Sequence, residues 1–308
     1  MMRKIGGYGA AIAVTPYMLI KIAWTFGMFL PYESMGDPSW RAINATTAML
    51  ALVGIVLGMA LSRPWGERLP AWAVILPAWV GTGLLVPMVL LMPVLGPAAV
   101  ARDAAAGSAD VWAYEQIFVI VSLVGIGLGL PIALAGYAKA RWPEALGGPI
   151  DRGDQPGHTR RLQVPLARIV AAGCVLLGMT KLFWALGGPI GIDPARLDDR
   201  DLWWHLLTLS TGVWSLVGAW GILVLTARRG FGRFLPPMMA SWVSSGMLFS
   251  YNLFFAMSPD SQSSPEYPLA RVLSTEAGIV LGLSMALTVL LVLHDRRRAI
   301  RGESPDAE

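Results

Sequence analysis

Two lysines lie inside apolar segments of this sequence, and each is followed by a tryptophan three residues later. The first segment, KIAWTFG, contains Lys21 and Trp24, and the second, KLFWALG, contains Lys181 and Trp184. The whole chain has only four lysines, so half of them occupy matching places. A charged side chain in hydrocarbon costs about 2.5–3.5 kcal/mol on insertion scales, unless a partner or water relieves that cost. The pattern therefore predicts a polar site around each lysine.

Each lysine has a matching acid in the same half of the chain. Glu115 lies early in the fourth apolar segment, and Glu276 lies early in the eighth. With a rise of 1.5 Å per residue, Lys21 lies roughly 13 Å and Glu115 roughly 7 Å below the outer ends of their helices. A lysine side chain covers that difference in height. The spacing therefore predicts Lys21–Glu115 and Lys181–Glu276 pairs that line a ligand site on the outer side of a membrane.

These charges have three interpretations. In the first, the lysines extend to the lipid headgroups, and the glutamates lie at the wet interface, where a helix N-terminus favours them. In the second, a buried ion pair holds each group of four helices together. In the third, the charges line a functional site in an outward-facing cavity. The spacing of the residues is compatible with all three.

Aromatic side chains collect toward the same outer side. They form either an ordinary interfacial belt or the lining of a pocket for a cation or a hydrophobic substrate. In the second case Trp24 and Trp184 belong to the ligand site, and so does His205 in the first turn of the sixth span. No second His or Cys lies near His205 in the sequence, so we predict no metal site. We also predict no cofactor.

The composition indicates an integral membrane protein. Hydrophobic residues make up 55% of the chain and charged residues only 14%, which is too little charge for the surface of a soluble domain of this length. A bilayer core needs about 20 predominantly apolar residues per helix. We predict an all-α fold with eight transmembrane helices at 9–30, 42–62, 70–94, 111–137, 165–187, 202–226, 235–257 and 271–293.

The basic residues predict the orientation of these spans. They predominate in the loops on the side of the N terminus and in the sequence HDRRRAIR after the last span. The positive-inside rule then places both termini in the cytoplasm of a bacterial cell, with a multi-pass protein in its inner membrane. Because the charges fall in loops at membrane level, we predict no nucleic-acid partner. The predicted partners are the lipid bilayer and a small-molecule or lipidic ligand.

The two halves of the chain echo each other. Besides the lysine segments, SRPWGERLP echoes ARRGFGRFLP, and AWVGTGLL echoes SWVSSGML. We therefore predict two related four-helix repeats, at 1–140 and 164–295. A cytoplasmic linker at 141–163, rich in Pro, Gly and charge, is expected to be flexible between them. Residues 296–308 form a cytoplasmic tail.

The helix end KLFWALGG at Lys181–Gly188 resembles a turn found in multi-pass membrane proteins of high-GC bacteria. The resemblance covers little more than the first and fifth spans, and Met28 replaces the final glycine in the first. These proteins have no settled activity, so the resemblance implies the membrane class and no mechanism.

Three kinds of function fit this architecture. The first is a small-molecule or ion transporter or permease, since related bundles that rock around a shared site explain a duplication. The second is a membrane-embedded enzyme acting on a lipidic or isoprenoid substrate, such as a terpene-cyclase-like protein with Glu115 or Glu276 as general acid. The third is a non-enzymatic sensor, immunity factor or assembly partner. Architecture favours the first.

The predicted Lys21–Glu115 pair can be tested with a charge swap. If the pair is structural, Lys21→Glu and Glu115→Lys each lower the thermal stability of the detergent-purified protein, because each leaves two like charges together. The double variant then restores it. Equal stability of all variants and the parent would contradict a structural pair.

Overall fold

The structure is a computed structural model, and it describes residues 1–28, 37–105, 109–142, 146–151, 159–227, 232–257 and 264–301. For 99–105, 109–115 and 301 it describes the helical backbone without the side chains. The chain divides into two compact units, unit 1 at Met1–Arg141 and unit 2 at Trp142–Glu308.

Long helices make up most of the described chain. Those of unit 1 are α1 (Met2–Thr25), α2 (Pro38–Ser62), the short α3 (Pro64–Arg68), α4 (Ala71–Ala105) and α5 (Ala109–Arg141). Those of unit 2 are α6 (Arg160–Ala185), a 3-10 helix (Pro194–Asp199), α7 (Leu202–Ala227), α8 (Leu235–Met257) and α9 (Pro268–Arg301).

Seven of the described helices are long and apolar enough to cross a membrane: α1, α2, α4, α5, α6, α7 and α9. The predicted span at 235–257 coincides with α8, which is not among the seven. Polar side chains on the buried face of α8 lower its hydropathy; they are Ser241, Ser244, Ser245, Ser250 and Asn252. These side chains face neighbouring helices, which explains why α8 is as long as a span but less apolar than the seven.

Asp37 defines the start of α2. Its carboxylate accepts hydrogen bonds from the Ser39 hydroxyl and from the Trp40 amide, and Pro38 takes the first helical position, as is usual at helix starts. These bonds, the Ser39 bond first, lower the pKa of the Asp37 carboxyl. The contribution of this cap to stability is therefore present above the ordinary pKa of an aspartate and is lost as the pH falls through the lowered value.

Glycines bring the backbones of unit 1 together. α1 packs against α2 and α5, and α4 packs against α5. A Cβ atom on Gly7 of α1 would lie 2.3 Å from the carbonyl oxygen of Gly58 in α2. A Cβ atom on Gly6 would lie 2.7 Å from the carbonyl oxygen of Gly129 in α5. Small residues at such contacts are typical of helices that associate in an apolar environment.

The end of unit 1 opposite Lys21 is held by one tyrosine between two arginines. Tyr137 is fully buried, and its ring lies 5.3 Å from the Arg3 guanidinium and 5.7 Å from the Arg141 guanidinium. Its hydroxyl donates to the Gly66 carbonyl, at 3.3 Å, and accepts from Arg141. Arg3 also forms an ion pair with Glu67. This network fixes α3 against α1 and α5.

Unit 2 has the same pairs of neighbours. α6 packs against α7 and α9, and α8 also packs against α7 and α9. Two glycines of α7 meet two serines of α8, because a Cβ atom on Gly221 would lie 2.6 Å from Ser241 Oγ and one on Gly218 would lie 2.7 Å from Ser244 Cβ. Both serine hydroxyls are buried and have no hydrogen-bond partner among the described residues. Close packing therefore determines this contact.

The end of unit 2 opposite Lys181 is built around a buried arginine. Arg296 of α9 donates to the carbonyl oxygens of Gly147 at 2.8 Å, Pro149 at 3.1 Å and Ile150 at 3.4 Å. Its guanidinium lies 4.2 Å from the ring of Phe234. Residues 146–151, which fall inside the linker that was expected to be flexible, are therefore packed against α9.

Several helices extend beyond the predicted spans. α4 continues to Ala105 instead of ending near residue 94, although it contains four prolines, which transmembrane helices tolerate better than soluble ones. α9 continues to Arg301 rather than ending near residue 293. Its extension is held because Asp295 accepts hydrogen bonds from Thr159 at 2.8 Å and from Gln163 at 2.9 Å.

The contact between α1 and α2 predicts different effects for two glycines on α1. Gly7→Ala places a methyl group against the Gly58 carbonyl, so we expect it to lower the free energy of unfolding by about 1–3 kcal/mol. A Cβ atom on Gly9 would lie more than 4 Å from every other helix among the described residues, so Gly9→Ala should leave stability unchanged or raise it by up to about 1 kcal/mol. Reversible unfolding of the micelle-bound protein measures both. Equal stability of the two variants would contradict the close contact.

Candidate functional site

Lys21 lies one helical turn before the end of α1, with its ammonium group over two aromatic rings. Nζ is 4.5 Å from the centre of the Trp24 ring and 5.4 Å from that of Tyr17. Residues three or four positions apart share a helix face, so α1 alone places both rings beside the lysine. Trp40 of α2 packs on Trp24, with ring centres 5.4 Å apart. Lys21 is only 8% exposed, so the rings replace much of the water around its charge.

Lys181 occupies the same place in α6 but has a different set of partners. Its Nζ lies 4.8 Å from the centre of the Trp184 ring and donates to Ser274 Oγ of α9, at 3.3 Å. The Glu266 carboxylate, just before α9, acts on Lys181 electrostatically. No carboxylate among the described residues lies within 4 Å of its ammonium group. Lys181 as a residue is half-buried, so part of its side chain lies at the surface of unit 2.

Two loop segments join at this end of unit 2, at 187–200 and 264–267; we call them together the cap. Ile192 and Glu266 form an isolated antiparallel bridge, and backbone hydrogen bonds on both sides of the bridge connect the two segments. The Glu266 carboxylate accepts a hydrogen bond from the Ser264 hydroxyl. The bridge therefore fixes the backbone of the acid that acts on the lysine.

Trp184 connects the lysine to the cap. Its indole Nε1 donates to the carbonyl oxygen of Ile190, at 2.6 Å. Gly191 follows with a φ of +90°, and a Cβ atom there would lie 3.0 Å from the indole. A glycine suits this position both because the conformation is left-handed and because the ring is close. One tryptophan thus contacts the ammonium group with its face and holds the cap with its edge.

His205 ties the start of α7 to the end of α6. Its Nδ1 lies 2.9 Å from the carbonyl oxygen of Ala185, and since a carbonyl only accepts, Nδ1 carries the proton. The ring also packs edge-on against Trp204, with centres 5.1 Å apart. These contacts account for His205 structurally, and its role in ligand binding stays a prediction. Among the residues that the structure describes, no group of three or more His, Cys, Asp or Glu side chains could hold a metal ion.

The predicted Lys181–Glu276 pair is not formed. Lys181 donates to Ser274 instead, and Glu276, two residues further along α9, is exposed. Positions two apart on a helix point about 200° away from each other, so both side chains cannot face α6. Glu115 belongs to α5, but its side chain lies outside the described residues, and the Lys21–Glu115 pair stays a prediction.

The depth of the lysines also differs from expectation. α1 ends at Thr25 rather than near residue 30, which places Lys21 about 6 Å from the end of its helix instead of roughly 13 Å. Lys181 has the same distance from Ala185, the last residue of α6.

Sequence reasoning missed three partners of the lysines: Tyr17, Ser274 and Glu266. Tyr17 could have been found, since it precedes Lys21 by one helical turn on the same face. Ser274 and Glu266 could not, because their positions depend on the rotation of α9 and on the bridge within the cap.

The seven long apolar helices, each with few charged residues in its most apolar stretch, define a polytopic membrane protein. Comparison of the chain with family models, with curated proteins and with solved structures gives no match. The class therefore rests on the helices themselves, and the activity has to be inferred from the lysine sites.

A double-mutant cycle tests whether Trp24 stabilises the charge of Lys21. Lys21→Met keeps the length of the side chain and removes its charge, while Trp24→Leu removes the ring. We expect a coupling free energy of about 0.5–2 kcal/mol in unfolding experiments, as for desolvated cation–π pairs. The exposed Lys4 provides the control, since Lys4→Met and Trp24→Leu should be additive to within about 0.5 kcal/mol. A coupling no larger than that of the control would contradict the interaction.

Proposed function

We propose that this chain is a transporter or permease for a small molecule or ion, with a polar binding site around Lys181 in unit 2. The observation that carries the proposal is an ammonium group inside an apolar helix that no described carboxylate contacts. Ionisable side chains within membrane spans commonly mark substrate or ion pathways. A solute that binds there supplies interactions that the described residues leave open.

The proposal includes the topology predicted from the sequence. α8 crosses the membrane in addition to the seven long apolar helices, which gives eight spans; both termini lie in the cytoplasm of a bacterial cell, and both lysines lie toward the outside. The excess of basic residues at the opposite helix ends supports this orientation. Lys181, about 6 Å from the end of α6, then lies where a solute from the outside first meets the protein.

The proposal also treats the two units as an internal duplication, which is common among transporter folds. The sequence echoes support it, and so does the packing, because the first helix of each unit contacts the second and the last. Each unit also places a lysine over a tryptophan three residues later. In this proposal the lysine site of unit 2 binds the solute, and the lysine site of unit 1 is structural.

Transport can be measured with proteoliposomes and a panel of probes that differ in charge. Radiolabelled acetate, chloride, alanine and rubidium cover an anion with a carboxylate, a halide, a zwitterion and a cation. We expect counterflow of at least one probe above that of empty liposomes. Lys181→Gln should abolish it, because the variant keeps a polar side chain but loses the charge.

Lys139→Gln is the matched control, because Lys139 is exposed near the end of α5 and is not part of the Lys181 site. This variant should transport the probe as fast as the parent protein. Circular dichroism and gel filtration establish that both variants remain folded. Full flux in Lys181→Gln, or no flux of any probe in the parent protein, would overturn the proposed function.

A further inference from the structure

We propose that the solute of unit 2 is a small monovalent anion, a carboxylate or a halide, and that unit 1 does not bind it. The proposal rests on the proposed function, since it names the chemical class of the solute that Lys181 would bind. It follows from the hydrogen bonds that Lys181 makes among the described residues and from the aromatic rings that surround each lysine.

The ammonium group of Lys181 has hydrogen-bond donors to spare. A lysine carries three N–H donors and no acceptor, and within the described residues Lys181 makes one hydrogen bond, to Ser274 Oγ at 3.3 Å. The Trp184 ring contacts the charge without accepting a conventional hydrogen bond. As far as the structure describes the chain, two N–H groups therefore remain for a ligand, and only a group with lone pairs can use them.

Ser274 strengthens this conclusion because its own proton is engaged. Its hydroxyl accepts from Lys181 and donates to the carbonyl oxygen of Arg271, at 3.1 Å. The serine thus positions the ammonium group and has no proton left for a second acceptor. A ligand at this place meets donors on Lys181, and a negative charge on the ligand is favoured over a neutral carbonyl because it adds a Coulomb attraction to the ammonium group.

Glu266 lies near enough to act on Lys181 but too far to occupy its donors. Its carboxylate is buried and accepts from the Ser264 hydroxyl. It offsets part of the lysine charge while the site is empty, and it repels an anion that enters. Removing the charge of Glu266 should therefore tighten the binding of an anion. If the ligand were a zwitterion whose cationic group bound to Glu266, the same change would weaken its binding.

Lys21 is surrounded differently. Its charge lies over the rings of both Tyr17 and Trp24, whereas the charge of Lys181 lies over one ring and beside a serine hydroxyl. An anion would have to displace aromatic contacts to reach it. The comparison assigns ligand binding to Lys181 and a structural role to Lys21.

The small number of lysines allows a direct test. Protein labelled with carbon-13 at lysine Cε gives one NMR signal for each of the four lysines, and the variants Lys181→Gln and Lys21→Gln assign two of them. Titration with sodium acetate or sodium chloride should shift the Lys181 signal along a saturating curve. The Lys21 signal, an internal control for ionic strength, should move little and without saturation.

Glu266→Gln is the second variant, and it should lower the acetate concentration at half-saturation several-fold. Absence of a saturating shift at Lys181, an equal saturating shift at Lys21, or weaker binding in Glu266→Gln would each overturn the inference. The two proposals fail separately. Flux of alanine or rubidium with no anion shift would leave transport standing without the anion, and an anion shift without flux would leave binding standing without transport.

Discussion

The water that an ammonium group loses inside an apolar helix has to be replaced, and this requirement shapes one end of each unit. In unit 1 the replacement is local, because the rings beside Lys21 come chiefly from α1 itself. In unit 2 it comes from three places in the chain: Trp184 on α6, Ser274 on α9 and Glu266 in the cap. The surroundings of Lys181 therefore depend on tertiary structure, and a movement of α9 or of the cap would change them. Lys21 would keep its rings wherever α1 moved.

Small residues make that tertiary structure precise. A Cβ atom on Gly178 of α6 would lie 3.1 Å from the carbonyl oxygen of Gly212 in α7, and one on Gly282 of α9 would lie 2.7 Å from the carbonyl oxygen of Ser245 in α8. Helices in an apolar environment gain little from the hydrophobic effect and associate through such close packing. The contacts limit how far α9 can rotate or slide, and this limit keeps Ser274 within hydrogen-bond distance of Lys181.

The ends of the two units that lie opposite the lysines differ in structure. Unit 1 places Tyr137 between two arginines and holds α3, whereas in unit 2 Arg296 holds residues 146–151 and packs on Phe234. Both clusters join arginine to an aromatic ring, but the participating residues come from non-equivalent positions. The helix contacts and the lysines of the two units correspond, while the loops that the arginines fix do not.

Sequence reasoning was accurate for contacts between residues close together in the chain and failed for contacts between helices. Apolar runs predicted the long helices, and the Lys-x-x-Trp spacing brings each lysine beside a tryptophan, because residues three apart on one helix are neighbours. The choice of Glu276 as a partner failed because it rested on height along the helix alone. Two residues change the height by only about 3 Å but the direction of the side chain by about 200°. An error of two residues therefore hardly changes the predicted height of a side chain along the helix, but it moves the side chain to the other face. Contacts between helices depend on the face, so they are harder to predict from a sequence.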